Sequence, residues 1–186
     1  MKRIIIFAIV FLCISPLFAE FRGFSWNSTR AEMQLKNGKE LEIVKSSDAI
    51  FYGYDIKLNN QLYRAYFGYA DDKLIRGMLL YTESILVPEQ YVVEYESIYK
   101  LLIEKYGKPT TDDRTIIGDP DDVTLKAVAL QNGRGIYMST WFISDTKISI
   151  ILRGGAGNLA LRVVYEPNEI QEKAVQQSNE ESKKEL

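Results

Sequence analysis

The chain reads as an α+β domain, an antiparallel sheet with helices packed on one face, built from a duplicated αβββ unit. Three observations carry that expectation. Short aromatic and β-branched runs alternate with Asn, Asp and Gly turns, which is the pattern of antiparallel strands. Two segments carry helix punctuation, and the longer has a clear 3.6-residue apolar period. That longer helix separates two trios of strand-like runs with similar endings: Leu74-x-Arg76 before Leu79-Leu80-Tyr81, and Leu161-Arg162 before Val163-Val164-Tyr165.

The first residues form a unit of their own. Lys2 and Arg3 precede an unbroken apolar run from Ile4 to Leu12, and Ser15-Pro16-Leu17-Phe18-Ala19 ends it with a small residue before Glu20. A basic start, an apolar stretch and a small residue at the cut describe a secretory signal peptide over residues 1–19. The stretch is short for a membrane span, which needs about 20 apolar residues. Export then places the chain in the periplasm or outside the cell, with no stable span after cleavage. Cys13 is the single cysteine and lies inside this run, preceded by Leu12 rather than the small residue a lipoprotein needs. Tethering through a lipidated Cys13 is the minor alternative. Cleavage at Ala19 leaves residues 20–186 without a thiol, hence without a disulfide or a Cys-ligated metal.

One domain is expected over residues 20–167. Thr29 with Glu32 three residues on is a capping box for a short helix from Thr29 to Lys36, with Ser28 as an alternative cap and Asn37-Gly38 as the stop. Strands follow at Ala49–Asp55, Gln61–Tyr69 and Lys73–Tyr81, broken at Asn59-Asn60 and Asp71-Asp72. In the second strand Tyr63, Ala65, Phe67 and Tyr69 share a face. Pro88 opens the long helix, which ends at Tyr106 before Gly107-Lys108-Pro109. Tyr91, Tyr95, Ile98, Tyr99, Leu102 and Tyr106 lie on one side of it, while Glu96, Lys100 and Glu104 face away. Asp112-Asp113 reads as a turn into a short strand, Arg114–Ile117, and the Asp119–Asp122 stretch as the cap of a brief helix through Leu130. Three strands close the domain: Ile136–Ile143, Lys147–Leu152 and Leu159–Tyr165. Residues 168–186 are rich in Glu, Gln, Lys and Ser, a composition that reads as a disordered or loosely helical tail.

Composition excludes several chemistries. The chain has no histidine, so Ser-His-Asp and Cys-His catalysis are out, along with the commonest metal ligand. A formal charge of −2, more acidic once Lys2 and Arg3 are removed, disfavours nucleic acid. No cofactor motif is present. The glycine run Arg153-Gly154-Gly155-Ala156-Gly157 joins two strands, so it reads as a hairpin loop rather than a phosphate cradle. The Asp119-Asp121-Asp122 cluster lacks the central Gly and late Glu of a calcium loop, and no metal site is expected. Asn27-Ser28-Thr29 fits a glycosylation sequon, but the helix cap already explains it.

Ten of the twelve tyrosines fall between Tyr52 and Tyr106. The helical stripe has the period of a core face, whereas tyrosines on a strand's polar face suit a binding surface. Tyr54, Tyr66, Tyr137 and Trp141 are the expected contact residues. No catalytic residue is assigned.

Several segments carry a family likeness. Arg22-Gly23-Phe24-Ser25-Trp26-Asn27-Ser28-Thr29, Leu102-Ile103-Glu104-Lys105-Tyr106-Gly107-Lys108-Pro109, and the closing series Trp141, Thr146-Lys147-Ile148, Leu152 and Leu161–Tyr165 resemble the motifs of a family of small uncharacterised exported bacterial proteins. The expected helix-plus-meander duplication is similar to the fold of β-lactamase inhibitor proteins and of small outer-membrane assembly lipoproteins. The chain lacks the paired cysteines of the inhibitor group. What the resemblance implies is a fold more than an activity, because the shared motifs are structural punctuation. The expectation is an exported, non-catalytic binding or assembly module for another macromolecule, a protein of the cell envelope. The alternative is a carboxylate-dependent hydrolase of cell-wall or glycan substrates using Glu94, Glu96 or the Asp119 cluster.

Overall fold

Turn residues decide where this chain folds back, and two-residue hairpins recur through it. The computed structural model describes residues 21–38, 40–58, 60–82, 87–118 and 121–168. The expected signal segment with Cys13, the tail from residue 169 onward and Asp119 lie outside the described residues. The elements run α1 (Arg30–Asn37), β1 (Glu42–Lys45), β2 (Ile50–Leu58), β3 (Gln61–Ala70), β4 (Lys73–Tyr81), α2 (Glu89–Tyr106), β5 (Thr111–Ile116), α3 (Val123–Gln131), β6 (Gly135–Ile143), β7 (Thr146–Gly155) and β8 (Asn158–Pro167). The strands make one antiparallel sheet in the order β1-β2-β3-β4-β8-β7-β6-β5.

The α+β class is as expected, and each half carries one strand more than the expected trio. In the first half the extra strand is β1, whose four residues, Glu42-Ile43-Val44-Lys45, are too few to show a period. In the second it is β5, the short strand expected at Arg114–Ile117, which starts earlier and takes in Asp112 and Asp113 as strand residues rather than as a turn. Helix α3 is inserted between β5 and β6, with Asp122 as its N-cap accepting from the backbone of Thr124 and Leu125. Helix α1 forms the complete capping box between Thr29 and Glu32.

The halves are related by an approximate two-fold axis that the strand registers locate. Tyr52 faces Phe67 as Tyr137 faces Leu152, and Tyr63 faces Tyr81 as Ile148 faces Tyr165. The tight turns match too, with Asp71-Asp72 and Ala156-Gly157 both left-handed between paired strands. By the same correspondence Leu79 and Val163 are counterparts, and they also stand opposite each other where β4 meets β8. The axis therefore passes between these two side chains.

All three helices lie on one face of the sheet. Phe67 on β3 receives the rings of Phe21, Phe24 and Tyr54 edge-on or nearly so, while Tyr95 and Leu102 of α2 are buried over the second half. The segment Phe21–Trp26 crosses the two-fold, because Phe21 meets Tyr165 and Trp26 Nε1 donates to Thr146 Oγ1 at 2.7 Å. Gly77 makes room for this crossing. A Cβ there would lie 2.2 Å from Cγ of Phe21. Gly77→Ala is expected to cost about 1–3 kcal/mol by overpacking, read as a lowered urea midpoint. An unchanged midpoint would show that Phe21 is not held against β4.

Candidate functional site

Helix lengths determine which parts of the helix face stay open. α1 has 8 residues and α2 has 18, so they run about 12 Å and about 27 Å at 1.5 Å per residue. α2 covers its own half and reaches the two-fold. α1 does not match it, so Leu58, Tyr63 and Leu79 of the first half are left beside α2 with no helix above them among the described residues. The result is a cleft of about 340 Å³ walled by those three residues, by Ile98, Leu101 and Leu102 of α2, and floored at the two-fold by Leu79 and Val163. The volume is at the lower end of the range for small-ligand sites, which are mainly apolar with a few placed polar groups.

The polar groups are at the ends of this cleft. At one end the Tyr63 hydroxyl donates to Glu94 Oε1, tying β3 to α2. Burial and then this bond push the Tyr63 hydroxyl far up, so it remains a donor. At the other end Lys105 is exposed, with Nζ 4.8 Å from the Tyr106 ring centroid. No carboxylate is in ion-pair contact with it among the described residues. Glu94 and Lys105 are eleven residues apart on the helix, about 16 Å.

The opposite flank of α2 is held by a polar cluster. Arg114 of β5 reaches Glu96 Oε1 at 2.6 Å and Asp112 Oδ1 at 3.0 Å, and its guanidinium lies 4.1 Å from the Tyr99 ring centroid. Ser139 Oγ donates to Asp112 Oδ1 at 2.6 Å. Its one proton is thereby used, so the 2.6 Å contact with Tyr95 must be donated by the Tyr95 hydroxyl. The relay runs Tyr95 to Ser139 to Asp112. Burial pushes Tyr95 up to about 12, against the lowering effect of the nearby Arg114 guanidinium. Partial burial pushes the Asp112 carboxyl up, but hydrogen bonds from Ser139, Arg114 and Tyr99 outweigh it and hold the carboxyl below its ordinary value.

The four expected contact residues divide unequally between the faces. Tyr66 alone is on the face without helices, and there it too is buried, at 8% exposure, with its hydroxyl donating to Glu42 Oε2 at 2.8 Å. Tyr54, Tyr137 and Trp141 point to the helix side and are 5%, 6% and 1% exposed. Tyr54 packs on Phe67, and its hydroxyl is buried without a partner among the described residues. Tyr137 meets Tyr95 at 5.3 Å, and Trp141 Nε1 donates to the Gly107 carbonyl, closing the end of α2. The expectation erred for a physical reason. β6 carries apolar residues on both faces, so alternation gives no sign of which side is covered.

The carboxylates proposed for a hydrolase do not converge. At about 100° per residue Glu94 and Glu96 leave α2 on opposite flanks, the first bound to Tyr63 and the second to Arg114. Asp122 is engaged as the N-cap of α3, accepting from Thr124 and Leu125. Among the described residues no group of three or more acidic, Cys or His side chains is placed to hold a metal ion, and no helix is long and apolar enough to cross a membrane.

Sequence reasoning missed a second surface, the outside of the helical layer. α3 is apolar almost all round. Ala127 and Leu130 go to the core, while Leu125 and Val128 stay outside at 57% and 42% exposure. Val93 and Leu101 of α2 are also exposed, and with Ser97, Lys100 and Val123 at the start of α3 they line a shallow groove of about 450 Å³. The signal was present as the run Val123-Thr124-Leu125-Lys126-Ala127-Val128, with one charge in six residues. The face without helices is less open in its centre, where Met78, Leu80, Met138, Ile151 and Val164 are each half-buried by their neighbours.

Comparison with known proteins returned no matching family model, no matching curated protein and no matching solved structure.

The Asp112 geometry sets a pH dependence. A carboxyl held low in the folded chain stabilises it above the unfolded value of about 3.9, and that stability is lost as pH falls through the folded value. Asp112→Asn should therefore cost about 1 kcal/mol at pH 7, allowing for solvent screening. Its deficit should shrink below about pH 4. Urea unfolding across pH 3–7 measures this, and a deficit independent of pH would refute the charge-based account.

Proposed function

We propose that this chain is a non-catalytic binding or assembly module for another macromolecule, a protein of the cell envelope, and that it docks through the outer surface of α2 and α3. One observation carries the reading: a helix with apolar residues on nearly every side, bordering a groove lined by exposed Val93 and Leu101. A nine-residue helix that is apolar all round is normally buried. Contiguous exposed apolar surface on a soluble domain marks an interaction site more often than it marks anything else.

The rim suits a protein partner. Lys100 and Glu96 border the groove, giving an apolar centre with a charged edge, which is the anatomy of protein interfaces. The basic-then-apolar segment at residues 2–19 supports work in the envelope, since export would bring the domain to that compartment. The likeness to small exported bacterial proteins belongs to the same proposal. The hydrolase alternative has no converging carboxylate pair behind it.

Crosslinking of the tagged full chain in its native envelope, followed by mass spectrometry, tests the reading with two variants. Val93→Arg with Leu125→Arg should abolish capture of a stoichiometric partner while stability stays within about 0.5 kcal/mol, as for other surface changes. Met78→Arg, on the face without helices, should leave capture intact. The reverse pattern would move the docking surface to that face and to Tyr66, and no stoichiometric partner in any of the three proteins would defeat the proposal.

A further inference from the structure

The cleft beside α2 lies against the first half of the sheet, shares Leu101 with the docking groove and asks for a different occupant. Its walls are Leu58, Leu79, Ile98, Leu102 and Val163, with Leu101 at the mouth. Both polar ends are on α2, and they differ in kind. Glu94 already accepts the Tyr63 hydroxyl, whereas Lys105 lies over the face of Tyr106 with no carboxylate paired to it among the described residues.

We propose that this cleft binds one free acyl chain ending in a carboxylate, with the chain lying along Ile98 and Leu102 and the carboxylate at Lys105. The length fits, since the span from Glu94 to Lys105 is about 16 Å along the helix. The volume of about 340 Å³ has room for one chain, which rules against a two-chain lipid. Charge sets the direction. The Glu94 carboxylate repels an anion from one end, and the Lys105 ammonium attracts it at the other. The apolar walls hold the chain by removing its surface from water, a gain of about 0.8 kcal/mol for each methylene fully buried.

The unequal helices give a structural reason for the site. Had α1 been as long as α2, the approximate two-fold would have placed a second helix over Leu58 and Tyr63 and filled the space. Instead the helix layer is incomplete at the two-fold, where Leu79 and Val163 pair across β4 and β8.

Fluorescence titration of the full chain with dansyl-undecanoic acid, at low salt, is the test. Saturable one-to-one binding is expected, displaced by dodecanoate. Dansyl-undecanoic acid methyl ester should bind about tenfold more weakly, and Lys105→Met should remove that difference by weakening the acid alone, about tenfold being one modest charge contact. Leu79→Trp should block both probes by filling the floor. Leu101→Glu, at an exposed position that does not threaten folding, should weaken the acid more than the ester. Absence of saturable binding to the parent chain would overturn the proposal. So would equal affinity for acid and ester, or preferential binding of dodecyltrimethylammonium, which would place the head group at Glu94 instead.

Discussion

The pairing of β4 with β8 is the constraint on which the rest depends. It joins four residues, Gly77–Leu80, to four others, Arg162–Tyr165, and among the described residues it is the one strand pairing between the two halves. Neither half has a wide sheet of its own, and a four-stranded meander with one thin helix has little to bury. Joined at this seam they share a face wide enough for a common core. Leu79 and Val163 stand at its centre, both nearly inaccessible to solvent. The segment Phe21–Trp26 reinforces the seam by packing Phe21 over Gly77 and sending Trp26 across to Thr146.

An approximate symmetry with unequal parts creates the surfaces available for function. Equivalent strands from the two halves use the same registers, but α1 is less than half the length of α2, and α3 has no counterpart in the first half. The shorter helix leaves an apolar cleft on one flank of α2. The inserted helix leaves an apolar groove on the other. Between them α2 is fastened at three points: to β3 through Glu94, to β5 through Glu96 and Arg114, and to β6 through Tyr95 and Ser139. These fastenings engage Glu94, Glu96 and Asp112 in positioning one helix.

Much of the architecture is legible in the order of residues alone. The capping box at Thr29, the proline-opened helix ending at Gly107 and the hairpins at Asp71-Asp72 and Ala156-Gly157 are local signals, each set by backbone preferences within a few residues. The strand face Tyr63, Ala65, Phe67, Tyr69 is readable because β3 alternates. β1 is not, because four residues with charged ends show no period. The strand character of Asp112-Asp113 is hidden because the partners that accept an aspartate there, Ser139 and Arg114, are supplied by tertiary pairing.

The contact residues show where that limit falls. The sequence by itself determined the α+β class, most element positions, the two-part repeat and the exclusion of histidine chemistry, because these follow from composition and short-range periodicity. Only the tertiary structure decided which face of each strand is covered. Tyr54, Tyr137 and Trp141 became core because three helices chose that side, while Val93, Leu125 and Val128 stayed in solvent because nothing among the described residues lies over α3. Burial is a relation between distant segments, so it is written in how they pack rather than in any one of them.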